Sequence, residues 1–303
     1  MVTSIGDPKT VLLGLLTILA GAFTVAWLRR LRRAEGAGEP GTAPGPPTGT
    51  SVAIGALTDF FDTLGVGSFA PTTWLVRSLR AVPDRLLPGT LNVGHALPAV
   101  AQALIFIAIV EVEARTLALM IAAAVAGAWL GASVVATWTQ RRVQLGMGVA
   151  LLVAAALLLR QLRLAAPVGA DALALHGPGL VAGVVGNFVL GALMTAGVGL
   201  FAPCMILVSL LGLNARAAFP IMMGSCAFLM PVAGIRFIER RAYAPRVALG
   251  LTLGGVPAVL VAASIVRSLP LDAVRVLVLL VALYTAASLL WAARTGTDVS
   301  RQP

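Results

Sequence analysis

Residues 63–71 read TLGVGSFAP, and residues 195–203 read TAGVGLFAP. The register between them is 132 residues, from Gly65 to Gly197, and it also carries Leu75 onto Leu207, Leu79 onto Leu211 and Pro88 onto Pro220. One ungapped register over that distance argues for an internal duplication. Both copies set paired glycines and a proline inside long apolar runs. In lipid, an unwound backbone is tolerated only where protein or a polar cavity surrounds it. Broken helices in corresponding halves are the sequence pointer to a secondary transporter's binding site.

Composition agrees with a membrane setting. The 303 residues are 59% hydrophobic and 11% charged, with a mean hydropathy of +0.96. A water-soluble domain cannot bury that much apolar surface, so the chain reads as a polytopic membrane protein. The net charge of +10 does not point to nucleic acid, because the basic residues stand singly or in short clusters between apolar runs. That spacing is what control of membrane topology requires. Cys204 and Cys226 give neither a disulfide framework nor a CxxC pair.

Five stretches follow. Residues 1–33 form an apolar helix closed by Arg29, Arg30, Arg32 and Arg33; the charge follows the apolar run, unlike that of a signal peptide, so the helix is retained. Residues 34–50 are a Pro/Gly-rich linker. Residues 51–163 and 164–296 are the two transmembrane repeats, and 297–303 a short tail. Each motif segment either crosses once or enters and returns as a hairpin, and the placement of arginines mildly favours the hairpin. Each repeat is then a re-entrant hairpin plus three crossings, and the odd number turns the second repeat over. The expected fold is all-α and polytopic: two inverted-topology repeats, each with a broken, re-entrant hairpin, behind an extra N-terminal helix. The N-terminus lies outside and the C-terminus in the cytoplasm of a bacterial inner membrane.

The residues able to carry chemistry cluster at the breaks. Gly65, Gly67, Gly197 and Gly199 let backbone approach a ligand. Pro71 and Pro203 interrupt the helical ladder, and the helix starts beyond them offer amides and a positive dipole end to an anion. Asp59 and Asp62, three apart, share one face of the helix entering the first break. A carboxylate at membrane depth costs about 2.5 kcal/mol or more, so it faces a cavity or a partner. Headgroup-level pairing with Arg77 or Arg80 is the bland alternative. His95 is a candidate proton relay. Ser68, Thr90, Asn92, Asn187 and Thr195 are polar residues within or beside the breaks, each alone more often a helix–helix partner. No metal site and no cofactor is expected.

The two motifs, Gly65-Val66-Gly67-Ser68-Phe69-Ala70-Pro71 and Gly197-Val198-Gly199-Leu200-Phe201-Ala202-Pro203, resemble the sulfite exporter TauE/SafE family of membrane permeases. The resemblance covers roughly residues 52–292. Two departures stand out: glycines alternate with valine, and the hydroxyl at Thr90 becomes Met222 in the second half. The resemblance implies export or uptake of a small sulfur-containing or organic anion coupled to an ion gradient, with export weakly preferred. The expected substrate-binding set is Gly65, Gly67, Ser68, Pro71, Thr90, Asn92, Thr195, Gly197, Gly199 and Pro203; Asp59, with Asp62 or His95, is expected to bind the coupling proton, the alternative for the two carboxylates being a cation that accompanies the substrate. The partners are the small anion and the bilayer, and a homo-oligomer stays open. An enzyme is not expected; the rivals are an intramembrane thiol or sulfur-transfer enzyme using Cys204 and a passive anion channel.

Overall fold

The computed structural model describes residues 8–36, 47–83, 86–135, 140–163, 172–194, 200–268 and 270–295. The described chain is helical, with no strand beyond a single bridge between Ala172 and Leu213. Twelve α-helices follow in order: α1 Pro8–Gly36, α2 Gly49–Thr63, α3 Phe69–Ser78, α4 Leu87–Gly94, α5 Ala96–Ile109, α6 Ala114–Val135, α7 Gln140–Arg163, α8 Gly177–Met194, α9 Phe201–Leu210, α10 Ala218–Glu239, α11 Pro245–Ser268 and α12 Leu271–Thr295. Among the described residues, five spans are long and apolar enough to cross a membrane: Pro8–Arg33, Leu87–Ile109, Gly177–Met194, Ala215–Glu239 and Pro245–Ser268. The chain is therefore an integral membrane protein by length and composition.

The 132-residue register survives in the backbone. Shifted by it, α3 falls on α9 at both ends, and α6 and α7 fall on α11 and α12 within one residue. The ends of α3 and α9 also close with the same bonds. Leu79 N–H donates to the Leu75 carbonyl, Arg80 to Arg77 and Ala81 to Val76; Leu211 donates to Leu207, Gly212 to Ser209 and Leu213 to Val208. This closure needs a left-handed residue. The second copy supplies Gly212 (φ 82°), whereas the first forces Arg80 into it (φ 49°). Arg80→Gly should therefore raise stability by about 0.5–1 kcal/mol in a thermal melt.

Two compact units form, and they are not the two sequence repeats. One holds the described residues of Met1–Ala108 and Cys226–Arg267, the other those of Ile109–Ser225 and Ser268–Pro303, with one boundary inside α10. In the first, α2 packs on α11 with almost no space between backbones. A β-carbon at Gly55 would overlap Leu251, one at Gly250 would overlap Ser51, and one at Gly254 would overlap the Val52 carbonyl. Gly250 and Gly254 stand four apart, the small-xxx-small spacing of close membrane helix pairs. In the second unit, α8 packs on α6 the same way, through Gly127 against Phe188 and Gly191 against Ala124. Since α11 is the counterpart of α6, each motif-bearing helix is completed by a helix of the other repeat.

In the first unit α1 buries one stripe, Leu16, Phe23, Trp27 and Leu31, and leaves Val11, Leu15, Ile18, Val25 and Leu28 exposed, as a helix facing lipid would. Trp27 Nε1 donates to the Tyr243 hydroxyl at 3.2 Å, and the Phe23 ring fills the space a side chain at Gly234 would need. Tyr243 lies in the connection between α10 and α11, where burial pushes its phenol above the usual range.

The interruption between α4 and α5 has an identifiable cause. Pro98 has no N–H to donate to the carbonyl four residues back, that of Gly94. The Thr252 hydroxyl of α11 donates to it instead, at 2.7 Å. Thr252→Val keeps the shape and removes that donor, and should lower stability by about 1–3 kcal/mol. A melt unchanged from wild type would show that the carbonyl does not depend on Thr252.

Candidate functional site

The first break lies between α2 and α3. The α2 helix ends as Leu64 and Val66 donate to the Phe61 carbonyl and Gly65 to that of Asp62. Gly65 (φ 98°) and Gly67 (φ 88°) then turn the chain through conformations that L side chains avoid. Neither neighbour is long: α2 has 15 residues and α3 has 10. At 1.5 Å per residue, α3 reaches only about half of a hydrocarbon core roughly 30 Å thick. Pro71 sits in the first turn of α3, and Pro203 in the first turn of α9. A missing N–H costs nothing there, so both prolines start helices rather than interrupt them. The N-cap residues Ser68 and Leu200 make no side-chain capping bond.

Against this break the first unit buries a polar chain. Asp59 and Asp62 lie on the buried face of α2. The Asp59 carboxylate accepts from His95 Nδ1 at 2.9 and 3.0 Å. His95 Nε2 lies 3.0 Å from the Thr72 hydroxyl on α3. All three side chains are at most 1% exposed. His95 is the residue between α4 and α5, three before Pro98. On the far side of Asp59, a β-carbon at Gly255 of α11 would overlap its carboxylate and press on Pro98. Four elements therefore fix one carboxylate.

Asp62 heads a second branch. Gln102 Nε2 of α5 donates to Asp62 Oδ2 at 2.8 Å and to Thr63 Oγ1 at 3.0 Å. The Thr63 hydroxyl itself donates to the Asp59 carbonyl at 2.7 Å. Its oxygen can thus only accept from Gln102, which sets the orientation of the amide. The Ser68 side chain is a further hydrogen-bond partner of Asp62. Gln102 Oε1, on the same fully buried side chain, has no partner.

The remaining expected residues lie elsewhere. Thr90 is buried, donates to the Leu86 carbonyl at 2.7 Å and accepts from the Ala244 amide at 2.9 Å, tying α4 to the α10–α11 connection. Asn92 donates to the Pro88 carbonyl at 2.9 Å. In the second unit, Asn187 donates to the Met120 carbonyl at 2.7 Å and to Ser225 Oγ at 3.4 Å, leaving Oδ1 unpartnered. Thr195, Gly197 and Gly199 lie outside the described residues. Pro203 and Cys204 are buried in α9. Among the described residues, no three His, Cys, Asp or Glu side chains gather where they could hold a metal ion.

Sequence reading passed over Thr72, Gln102, Gly255 and Thr252. Gln102 was legible as the one polar side chain in the apolar run 96–109. Thr72 was not, because Thr73 beside it is chemically the same and only the helix phase separates them.

Chemically, the first branch is arranged so that it can take up a proton through a hydroxyl rotor. With neutral imidazole, Nδ1–H faces Asp59 and the Thr72 hydroxyl donates to Nε2. With imidazolium, both ring nitrogens donate and the Thr72 oxygen accepts. A proton can therefore be taken up with no heavy atom displaced. No family model, curated protein or solved structure matches this chain.

Proposed function

We propose that this protein is a proton-coupled secondary transporter of a small anion. The observation that carries the reading is the buried Asp59–His95–Thr72 chain beside the α2–α3 break. Ionisable groups inside membrane-spanning segments are costly and by default mark ion pathways or proton relays. Uncapped first-turn amides of α3, a turn away from Thr72, suit an anion. The sulfur-containing class comes from the motif resemblance, as does the weak preference for export. A re-entrant α2–α3 hairpin and an inverted second repeat agree with the short α3 and α9 helices and with the 132-residue register. The arginine distribution favours a cytoplasmic C-terminus, and the membrane in this reading is a bacterial inner membrane. The thiol-transfer reading is weaker, because Cys204 is wholly enclosed.

The test is flux into proteoliposomes of sulfite, sulfate, thiosulfate, a sulfonate and a carboxylate, each with and without an imposed pH gradient. Gradient-driven flux of one anion is expected. Flux indifferent to the gradient would replace the transporter by a channel, and no flux of any anion from folded protein would reject the proposed cargo.

A further inference from the structure

The buried network is unbalanced in charge. It holds two carboxylates, Asp59 and Asp62, and one imidazole, His95. When His95 carries a proton it balances Asp59, and one negative charge is left over at Asp62. Asp62 is 5% exposed, and its hydrogen bonds come from Gln102, which supplies an amide N–H, and from the Ser68 side chain, neither bearing a charge. An isolated carboxylate in such surroundings is strongly disfavoured.

The second observation is independent of that count. Gln102 Oε1 is a fully buried acceptor with no partner. The amide cannot be turned to relieve it, because Thr63 Oγ1 requires the N–H side. Oε1 belongs to the same amide group whose Nε2 donates to Asp62 Oδ2 at 2.8 Å, so the orphaned oxygen is fixed by the same contact that holds the unbalanced carboxylate. Leaving such a group unsatisfied is costly, so a partner is strongly favoured. Both deficits sit at the C-terminal end of α2, the negative end of its dipole. Ends of discontinuous helices are where transporters hold small cations.

We propose that Asp62, Gln102 Oε1 and the Ser68 hydroxyl form a sodium site. All three offer oxygen, the donor a hard cation takes. One positive charge neutralises the excess and supplies the partner Oε1 lacks. A divalent ion would overshoot, since Asp59 is already engaged by His95. Two carboxylates three residues apart on α2 thus have separate duties: Asp59 with His95 for the proton, Asp62 with Gln102 for sodium. This division rests on the transporter reading of the same network.

The experiment is thermal unfolding of the purified full-length chain in sodium, potassium, calcium and choline chloride at matched ionic strength. Saturating sodium should raise the midpoint by about 3–6 °C over choline. Asp62→Asn keeps an acceptor for Gln102 without the charge, and should abolish the sodium response. Ser68→Ala keeps the carboxylate and should weaken the apparent sodium affinity about tenfold, which serves if Asp62→Asn does not fold. Equal midpoints in sodium and choline would overturn the site, as would a larger response to potassium or calcium. A midpoint that follows pH and ignores sodium would also overturn it and give Asp62 to a proton. The readout needs no transported substrate. Proton-driven flux without a sodium shift therefore rejects this site alone, and a sodium shift without flux rejects the transporter reading alone.

Discussion

Asp59→Asn should leave a folded protein whose gradient-driven anion flux is at least about 100-fold below wild type. Asparagine has nearly the shape of aspartate, so it still fits beside Gly255 and its carbonyl oxygen still accepts from His95 Nδ1. What it removes is the charge that makes imidazolium stable in a buried setting. Without that partner His95 stays neutral, and the Thr72 hydroxyl has no cause to reverse its bond. Thr72→Ser retains a rotor and should keep most of the flux; Thr72→Val removes it and should lower gradient-driven flux well below the serine variant. The comparison is made in proteoliposomes with and without a pH gradient, with a melting curve to show that each variant is folded. If Asp59→Asn retained gradient dependence, the relay would be structural and the coupling group would lie elsewhere.

Gly255→Ala should be among the most damaging single-methyl additions in the chain, at about 2–3 kcal/mol. The added carbon would overlap the Asp59 carboxylate and crowd Pro98, and α11 cannot retreat because Gly250 and Gly254 already hold it against α2. Gly14→Ala on α1 is the control, since nothing lies within 4 Å of that position. The duplication offers a sharper check. In the 132-residue register, Asp59 corresponds to Gly191 and Gly255 to Ala123. The second unit thus pairs a bare motif helix with a small side chain on its neighbour, and the first does the reverse. The double variant Asp59→Gly/Gly255→Ala should be less destabilised than the sum of its singles by about 1–2 kcal/mol. His95 would then lack its carboxylate, so stability would recover only in part and coupling not at all. Additive losses would mean that the two positions do not share one space.

The asymmetry at positions 59 and 191 accounts for the lack of a counterpart to the buried Asp59–His95–Thr72 chain among the described residues of the second half. A duplicated chain begins with equal halves, and a charge at one of two equivalent positions needs room and partners that its counterpart need not supply. Here the room is Gly255 and the partners are His95 and Thr72. In the 132-residue register their counterparts are Ala123, Ala227 and Cys204, none of which lacks a side chain or carries a hydrogen-bonding ring; a β-carbon at Gly191 itself would overlap the Ala124 backbone.

Much of this was legible in residue order. The register of 132, the apolar runs and the two glycine-proline breaks follow from local rules: hydropathy, the left-handed freedom of glycine and the missing amide of proline. They yielded a helical membrane protein, a duplication that the backbone reproduces bond for bond at the ends of α3 and α9, and three ionisable residues that meet in one network. The same rules misplaced the role of Pro71 and Pro203, because whether a proline ends a helix or begins one depends on which side the helix forms. They also grouped Thr90 with the site, although its bonds run to Leu86 and Ala244. What required tertiary structure was every pairing across distance: Asp59 with Gly255 nearly 200 residues on, Gly94 with Thr252, and Gln102 with the end of α2. Sequence periodicity says which face of a helix is buried, but not which helix buries it. With the two repeats interleaved, the partner of each motif helix comes from the other repeat, and only the packed structure decides that.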